Sequence, residues 1–258
     1  MIHAIVNMKG GVGKTTTAVN LGAALARRGR SVLVVDLDPQ ANATGWIGTD
    51  TPPTATVANA LGDRKAATAA VGPSTAEGVD LAYGSRELAG VAEDLRASSP
   101  TPALALRAAL KLLKPYDDIL IDCPPGLGLL SLNAMIAADS LIVPVDSQTM
   151  ALAGVAQIRE TLAELSEAEV ISTVPPGRIL LTMYDGRLSL DRAVQEHLRE
   201  TAMPLFKQTI RTNTKLAESY GLRQTIFDYA PTSTGAADHA GLAEEIVSNQ
   251  AGITEALA

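Results

Sequence analysis

The chain has 258 residues, of which 47% are hydrophobic and 19% charged, so it can bury a large core and wholesale disorder is excluded. Aromatic residues make up only 3%, and the core must therefore consist mainly of Ala, Val, Leu and Ile. The net charge of −7 argues against a protein that binds nucleic acid over its whole surface. The length is usual for one α/β domain, and we expect a single domain over residues 1–258.

The charge is not distributed evenly. Residues 178–223 carry eight Lys or Arg against five Asp or Glu, a balance of +3, whereas the rest of the chain has a balance of −10. From charge alone, a solvated helix face is the favoured explanation for such a segment.

Cys123 is the only cysteine, which excludes a disulfide within the chain and a conventional zinc site. Its default interpretation is a small buried hydrophobe. Because the first motif starts by Lys9, we expect no signal peptide before it. The most apolar stretch, residues 129–145, is interrupted by Asn133 and Asp139 and is too short to span a bilayer. These features predict a soluble, cytoplasmic protein.

Short β-branched runs alternate with helical patterns along the chain. Runs such as 32–35 and 119–121 are apolar throughout, as in strands buried on both faces of a sheet. The alternation predicts an α/β fold with a doubly wound, mostly parallel sheet, helices on both faces and ligands at the carboxyl ends of the strands. The predicted strands are His3–Asn7, Ser31–Asp36, Val79–Tyr83, Asp118–Asp122, Ser140–Val145, Arg178–Met183 and Pro204–Ile210. The predicted helices are Lys14–Arg28, Pro102–Leu113, Leu130–Ala138, Met150–Leu165, Leu190–Glu200 and Gly235–Ser248.

Two segments are predicted to lack regular structure. Residues 51–56, with two prolines, read as a loop, and the Ala- and Thr-rich residues 64–74 as a variable surface insertion. No internal repeat or clear linker interrupts the chain.

The strongest functional signal is the run from Lys9 to Thr16, directly after a predicted strand and directly before a predicted helix. Its small residues let backbone N–H groups surround a phosphate chain, and the helix N-terminus adds a positive dipole end. Met8 stands where a standard phosphate-binding loop has glycine, but an ordinary glycine turn would need neither Lys14 nor Thr15. Lys14 would reach the β- and γ-phosphates, and the Thr15 hydroxyl would bind Mg²⁺. The predicted nucleotide-binding residues of this motif are Lys9, Gly10, Gly11, Val12, Gly13, Lys14, Thr15 and Thr16.

Carboxylates follow two of the buried strands. Residues 32–36 end in Asp36, with Asp38 two places later, and residues 119–122 end in Asp122 in the form of a Walker B motif. Neighbouring parallel strands would deliver both ends to the edge that holds the phosphate loop, where an aspartate can hold Mg²⁺ directly or through water. Many strands end in aspartate, so the combination with the loop, rather than either strand alone, indicates a nucleotide site.

The loop resembles the deviant Walker A motif of the ParA/MinD group, and the whole chain resembles the ParA family of partition ATPases, especially its short, Soj-like chromosomal members. The resemblance implies slow ATP hydrolysis, an ATP-dependent homodimer, binding of double-stranded DNA without sequence preference, and stimulation by a ParB-like partner protein. Further blocks that carry it are residues 36–44, 122–125, 132–134, 143–145, 182–187, 216–218 and 230–233.

The resemblance also implies residue roles. Lys9 would cross the dimer interface to the partner's nucleotide and, like a cation supplied in trans, stabilise transition-state charge. Asp38 would orient or activate the attacking water, and Asp122 would hold Mg²⁺ through its shell, with Thr15 and Asp38 completing the predicted metal site. Asp36 would support the site.

Two further positions, Met183 and Asn213, are candidates near the adenine, although Met183 could as easily be a core residue.

The chain departs from the family pattern at Met8, where Gln is common, and at Ala41, where Gly is common. At residues 210–213 the chain has Ile-Arg-Thr-Asn where the family often has Ile-Pro-Arg-Asn, so the arginine implicated in DNA contact is displaced to Arg211. Phosphate contacts need charge more than a fixed register. The predicted DNA-binding residues are Arg187, Arg211, Lys215 and Arg223.

Three other classes of protein share parts of this pattern. A MinD-like membrane-associated positioning ATPase is the closest, but residues 241–258 contain no Lys, Arg or aromatic residue with which to bind lipid. An electron-transfer ATPase of the nitrogenase iron-protein type needs two cluster-ligating cysteines per chain. The third class is a nucleotide-gated binding protein without useful turnover, and a measurement of turnover is needed to distinguish it from an ATPase. The expected location is the cytoplasm, on the nucleoid; the cargo, whether chromosome, plasmid or protein cluster, is not specified by these residues.

Overall fold

The computed structural model describes residues 1–146 and 151–257, which are built around a seven-stranded sheet. The strands are β1 (Ile2–Ile5), β2 (Val32–Asp36), β3 (Val71–Pro73), β4 (Val79–Ala82), β5 (Asp118–Asp122), β6 (Ser140–Asp146) and β7 (Gly177–Thr182). They lie in the order β3-β4-β2-β5-β1-β6-β7, and every neighbouring pair is parallel except β3 with β4. The predicted α/β fold with a mostly parallel sheet is therefore confirmed.

Helices cover both faces of the sheet. They are α1 (Lys14–Ala26), α2 (Asn42–Ile47), α3 (Val57–Gly62), α4 (Leu88–Ser98), α5 (Ala105–Leu110), α6 (Leu129–Ala137), α7 (Ala151–Glu167), α8 (Ser189–Arg199), α9 (Thr214–Gly221), α10 (Ile226–Tyr229) and α11 (Thr234–Leu257). Side chains of α1, α2, α9, α10 and α11 pack on one face, and those of α3 to α8 on the other. Within β2, Leu33 and Val35 belong to one core and Val32 and Val34 to the other, as the alternation of a strand buried on both faces requires.

One predicted strand is wrong. Residues 204–210 run beside β7, but within the described chain this segment and Arg211, which follows it, make only isolated bridges, Leu205 with Ile179 and Arg211 with Tyr184. Phe206 N and Ile210 N donate to carbonyls of β7, so the segment follows this edge without building a ladder. The N–H groups of Lys207 and Gln208 donate to the Glu245 carboxylate of α11 instead of to β7, which interrupts the ladder.

Several elements were not predicted from the sequence, namely β3, α2, α3, α4, α9 and α10. Strand β3 has three residues and lies inside the segment expected to be a surface insertion, where Ala67 and Ala70 instead pack into a small alanine cluster. For α9 a signal was available, because the Asn213 side chain accepts a hydrogen bond from Lys215 N and caps the helix. Predicted helix 150–165 corresponds to α7, and Met150 lies outside the described residues.

A buried polar network fixes α11 to the end of the sheet opposite the phosphate loop. Asp118, at the start of β5, is fully buried and accepts hydrogen bonds from Arg30 and from Gln250 Nε2 at 2.9 Å. His3 Nε2 lies 3.3 Å from the same carboxylate, and His3 Nδ1 lies 2.6 Å from Ser140 Oγ. Burial alone would raise the pKa of Asp118, but the hydrogen bonds from His3, Arg30 and Gln250 outweigh it and hold the pKa below its usual range.

No helix in residues 1–146 or 151–257 is both long enough and apolar enough to cross a membrane.

Asp118→Asn is expected to lower the free energy of unfolding by about 2–4 kcal/mol at pH 7, because the partly buried Arg30 loses its charge partner and an amide replaces the fully buried carboxylate that accepts from several donors. The pKa of Asp118 is lower in the folded chain than the ordinary value of about 3.9, so its stabilisation is complete above about pH 4 and is lost as the pH falls below that. The difference in the free energy of unfolding between the parent and Asp118→Asn should therefore become smaller as the pH is lowered. Urea unfolding from pH 7 to pH 3 measures both effects.

The matched control is Asp50→Asn, whose carboxylate is almost fully exposed and pairs with Arg223 at the surface. It should leave stability nearly unchanged. An Asp118→Asn protein as stable as this control would contradict the structural role of the network.

Candidate nucleotide site

The loop between β1 and α1 adopts a conformation that glycine favours at two positions. Gly11 has φ +77° and Gly13 has φ +87°, both in the left-handed region. No side chain of the described residues caps α1, so the N–H groups of its first turn face a site that suits an anion. Thr182 Oγ1, at the end of β7, donates to Val12 O at 2.9 Å and holds the loop against the sheet.

Lys14, the first residue of α1, lies folded over this loop. Its side chain is buried and its Nζ donates to Lys9 O at 2.9 Å. Burial lowers the pKa of Lys14, while the negative charges of Asp122, Cys123 and Asp38 act in the opposite direction. A phosphate in the loop would give this ammonium a charged partner in place of a carbonyl.

Asp36 and Asp122 end neighbouring strands and lie opposite each other in the parallel ladder of β2 and β5. Asp36 accepts hydrogen bonds from Thr44 N at 2.7 Å and Asp38 N at 3.3 Å. Burial raises the pKa of Asp36 to about 6 despite these bonds. A Cβ on Gly84 would lie 2.7 Å from Asp36 Cγ, so the chain needs glycine where it passes this carboxylate.

Asp122 lacks any such compensation. It is fully buried, and neither carboxylate oxygen has a hydrogen-bond partner within residues 1–146 and 151–257. Burial raises the pKa of Asp122 well above its usual range, and the neighbouring Asp36 raises it further. The Thr15 side chain acts in the opposite direction but does not reach hydrogen-bond geometry with either oxygen. A buried carboxylate without a partner is costly, so Asp122 is suited to receive a cation or its water shell.

These residues fit a magnesium ion that is bound together with a nucleotide. No cluster of three or more carboxylate, histidine or cysteine side chains able to hold a metal is found in the described chain. Mg²⁺ does not require such a cluster, since it keeps several waters and is held mainly by phosphate oxygens with one or two protein groups. Thr15 and the unpartnered Asp122 would supply those groups.

Asp38 lies just beyond the end of β2, at the wall of the cavity next to the loop. It is buried, and its Oδ1 accepts a hydrogen bond from Gln40 N at 2.9 Å. Among the described residues, none donates a hydrogen bond to the other carboxylate oxygen of Asp38, Oδ2. Asp38 is thus placed beside the phosphate loop at the same edge as Asp36 and Asp122.

One cavity of about 700 Å³ contains most of the predicted nucleotide residues. Gly10, Gly11, Gly13, Lys14, Thr15, Thr16, Asp38, Met183, Arg211 and Asn213 all line it. Val12 and Asp122 are buried and are not among the residues that line the cavity. Met183 has φ +52°, unusual for a residue with a side chain, and is 43% exposed, so it is a cavity residue and not a core residue.

The cavity has an aromatic wall that the sequence analysis does not predict. Trp46 of α2 and Tyr220 of α9 line it, with their rings edge to face and 5.3 Å between centroids. Trp46 is the only tryptophan, and its Nε1 donates to Gln224 O at 2.7 Å. The sequence offered one signal for this wall, namely that its single tryptophan follows the strand that ends at Asp36. Its contact with α9 depends on residues far apart in the chain.

Lys9 is directed toward its own chain. Its Nζ forms an ion pair with Asp146 Oδ2 at 2.6 Å, at the end of β6, while the side chain stays 41% exposed. The Lys9 backbone N–H donates to Asn7 Oδ1 at 3.0 Å, which fixes the start of the loop. The lysine is therefore near the surface of the site, tethered by a contact that a new partner could replace.

The predicted DNA-binding cations are mostly paired with carboxylates. Arg187 pairs with Asp185, Lys215 with Glu218, and Arg223 with Asp50. These three cations lie outside the residues that line the cavity. The local positive balance of residues 178–223 is thus reduced in the fold, partly by acidic residues from other segments.

Arg211 differs from the other three because its partner is buried. Its guanidinium donates through Nε and Nη2 to both carboxylate oxygens of Asp238, whose side chain is only 4% exposed, and its backbone N–H donates to the same carboxylate at 2.9 Å. The pair fixes the chain after residue 210 to α11. Arg211 therefore has a structural contact that phosphate could displace only by leaving the buried Asp238 carboxylate without its cationic partner.

Comparison with known proteins agrees with this geometry. Residues 1–173 match the family described as AAA domain. The chain is 42% identical to the chromosome-partitioning ATPase Soj of Thermus thermophilus over 95% of this chain and 94% of that protein. It is 38% identical to the sporulation initiation inhibitor protein Soj of Bacillus subtilis, over 96% of this chain and 98% of the relative.

Among solved structures, the septum site-determining protein MinD of Pyrococcus horikoshii, complexed with Mg-ADP, matches with a TM-score of 0.79 and 30% identity. The match covers 98% of this chain and 97% of that one. The phosphate loop, the carboxylates at the sheet edge and these similarities over nearly the full length agree: the chain belongs to the ParA/Soj family of chromosome-partitioning ATPases.

Proposed function

We propose that this protein binds Mg·ATP at the carboxyl edge of its sheet, dimerises in the ATP state, binds double-stranded DNA without sequence preference and drives the partition of a chromosome or plasmid. The observation that carries the nucleotide part is the buried Asp122, which has no hydrogen-bond partner among the described residues, near the glycine loop that precedes α1. Such a carboxylate is stabilised when a cation and phosphates occupy the space above it.

Hydrolysis is assigned to residues at the same edge. Lys14 holds the β- and γ-phosphates, and Asp38 orients or activates the attacking water. Thr15 and Asp122 hold Mg²⁺, with Asp38 nearby; the ion supplies charge neutralisation when it is bound with the nucleotide. Asp36 supports Asp38 by accepting its backbone N–H. Met183 and Asn213 contact the base or ribose from the cavity wall.

Dimerisation is assigned to the surface around the loop. Lys9 would exchange Asp146 for the phosphates of a nucleotide in the partner subunit, an exchange of one charge partner for another. Gly10 lies at this surface, and a Cβ built on it meets no described atom within 4 Å. Its small size is thus not required inside one chain, which supports a role where two chains approach.

DNA binding is assigned to the exposed cations of residues 178–223. Arg187 is 89% exposed in its side chain, and its pair with Asp185, like that of Lys215 with Glu218, lies at the surface. Surface pairs of this kind exchange partners at little cost, so both cations can turn to phosphates. In a dimer, two weak patches act together and multiply the affinity. Arg223 remains a candidate on the same grounds, whereas Arg211 is the least available.

A ParB-like protein is the proposed stimulating partner, and the nucleoid in the cytoplasm the proposed location. Membrane binding is not part of the proposal, since residues 241–258 contain no Lys, Arg or aromatic residue. The 258 residues are proposed to act as one domain.

Asp38→Ala is expected to bind ATP and dimerise but to hydrolyse ATP at least about a hundredfold more slowly, since a group that positions or activates water is lost. Asp63→Ala is the matched control. Asp63 Oδ1 accepts Lys65 N at 3.0 Å in the same kind of turn that Asp38 makes with Gln40 N at 2.9 Å. Steady-state phosphate release at saturating Mg·ATP measures the rate. Equal rates for Asp38→Ala and the parent would remove Asp38 from the mechanism.

Gly10→Val is expected to bind ATP with near-normal affinity yet remain monomeric, because the valine fits its own chain but not a closely apposed second one. Gly90→Val is the control, since Gly90 also has open space and lies away from the loop. Light scattering with ATP, ADP and no nucleotide measures the mass. A dimer formed by Gly10→Val, or by the nucleotide-free parent, contradicts the sandwich arrangement.

Arg187→Glu combined with Lys215→Glu is expected to abolish DNA binding in ATP while leaving ATP-dependent dimerisation intact. The pair avoids Arg211, whose replacement would leave the buried Asp238 carboxylate without its cationic partner. For the parent, affinity should fall with salt by about one unit of logarithmic slope for each phosphate contact. Gel-shift titrations over a salt series, in ATP and in ADP, provide the measurement.

Arg107→Glu combined with Lys111→Glu makes the same change of net charge at a distant surface and should bind DNA like the parent. Equal DNA binding by the parent in ATP and in ADP, or normal DNA binding by Arg187→Glu/Lys215→Glu, would contradict the assignment of DNA binding to these cations.

A further inference from the structure

A second cationic surface lies at the other end of the sheet, around α5. We define the α5 surface by Arg64, Arg107, Lys111 and Leu112 together with the groove beside them. All four side chains are exposed, and Leu112 is 47% exposed. Arg107 and Lys111 lie one helical turn apart, on the same side of α5 and its C-terminal extension.

The cations of the α5 surface differ in their pairing from the predicted DNA-binding cations. Within residues 1–146 and 151–257, Arg64, Arg107 and Lys111 make no ion pair, whereas Arg187, Arg211, Lys215 and Arg223 all do. The neighbouring carboxylates are engaged elsewhere: Asp63 Oδ1 accepts Lys65 N, and Asp139 Oδ2 accepts Ile2 N at 2.7 Å. These hydrogen bonds do not remove the carboxylate charges, but the residues that line the groove and the adjoining depression include three cations, Arg64, Arg107 and Lys111, against one carboxylate, Asp139, so positive charge predominates there in a chain of net charge −7.

An apolar groove of about 490 Å³ adjoins these cations. Arg107 and Lys111 line its rim, and both also line a shallower depression with Arg64 and Leu112, so the two form one surface. Val174, in the loop that borders the groove, is 44% exposed. The larger apolar residues of its lining include Leu110, Met135, Ile136, Ile171, Pro175 and Pro176, and Asp139, Ser172 and Thr173 add polar groups.

The α5 surface is remote from the nucleotide cavity. Its groove includes Ile2 at the start of β1, Asp139 just before β6 and Pro176 just before β7, which are the amino ends of parallel strands. The phosphate loop and Asp122 follow the carboxyl ends. A molecule bound at the α5 surface would therefore leave the nucleotide site open.

We propose that the α5 surface docks an acidic, apolar peptide segment of a partner protein. Carboxylates of the segment would pair with Arg64, Arg107 and Lys111, and its aliphatic side chains would enter the groove and cover Leu112. Arginine forks match carboxylates in a bidentate geometry, and such pairs gain strength beside a desolvated apolar floor. Nucleic acid fits less well, since it offers phosphates but no aliphatic groups for the groove.

The test uses the full-length protein and a fluorescein-labelled synthetic peptide in which glutamate alternates with leucine. Two matched peptides replace either every glutamate by lysine or every leucine by serine. By fluorescence anisotropy, the Glu/Leu peptide should bind at least about tenfold more tightly than either matched peptide, with an affinity that falls as salt rises. Arg107→Glu/Lys111→Glu should bind the Glu/Leu peptide at least about tenfold more weakly than the parent, whereas Arg187→Glu/Lys215→Glu should bind it with the parent's affinity.

Thermal unfolding checks that each variant folds, and Arg107→Gln/Lys111→Gln replaces the charge reversal if it does not. No binding of the Glu/Leu peptide to the parent, equal binding of the Glu/Ser peptide, or an unaffected Arg107/Lys111 variant would each overturn the proposal. So would loss of DNA or anionic-vesicle binding in the Arg107/Lys111 variant, since the surface would then serve nucleic acid or lipid. None of these outcomes depends on ATP hydrolysis.

Discussion

Two buried carboxylates meet at one edge of the sheet, and the arrangement of the site follows from them. Asp36 and Asp122 end β2 and β5 side by side, where burial raises both pKa values and the charge of Asp36 raises that of Asp122 further. Asp36 is partly compensated by two backbone N–H groups, but Asp122 has no hydrogen-bond partner in the described chain. The fold thus retains a destabilising feature at the place where a cation and phosphates can relieve it.

The surrounding residues are arranged around that feature. Lys14 is close enough for its charge to be felt by Asp122, yet in this structure its Nζ donates to a loop carbonyl. Glycine at residue 84 leaves room for Asp36, and glycines at 11 and 13 let the loop turn above the carboxylates. Lys9 is held by Asp146 at the rim. Both lysines therefore have replaceable partners, so a bound nucleotide can recruit them without unfolding any element.

The elements that the sequence predicts are those whose signal is local. The phosphate loop, Asp36 and Asp122 were predictable because strand ends and glycine spacing are written in consecutive residues. The strand assigned to residues 204–210 was wrong because an edge segment has the same apolar pattern as a paired strand. The partners of Lys9 and Arg211, and the aromatic wall of Trp46 and Tyr220, join residues far apart in the chain. Charge counted along residues 178–223 likewise could not reveal acidic partners such as Asp238 and Asp50.

The central claim is that the buried Asp122 carboxylate destabilises the nucleotide-free protein and that binding of Mg·ATP removes this destabilisation. Thermal unfolding of the parent and of Asp122→Asn, each with and without saturating Mg·ATP at pH 7, tests it most directly. Since the pKa of Asp122 is raised in the folded chain, its ionisation destabilises the empty protein as the pH rises above about 4, and the asparagine removes that effect. We expect Asp122→Asn to melt higher than the parent without nucleotide, by about 2–4 °C for each kcal/mol gained, and to gain less than the parent from Mg·ATP. A variant that melts lower than the parent when empty, or that gains as much from Mg·ATP, would contradict the claim.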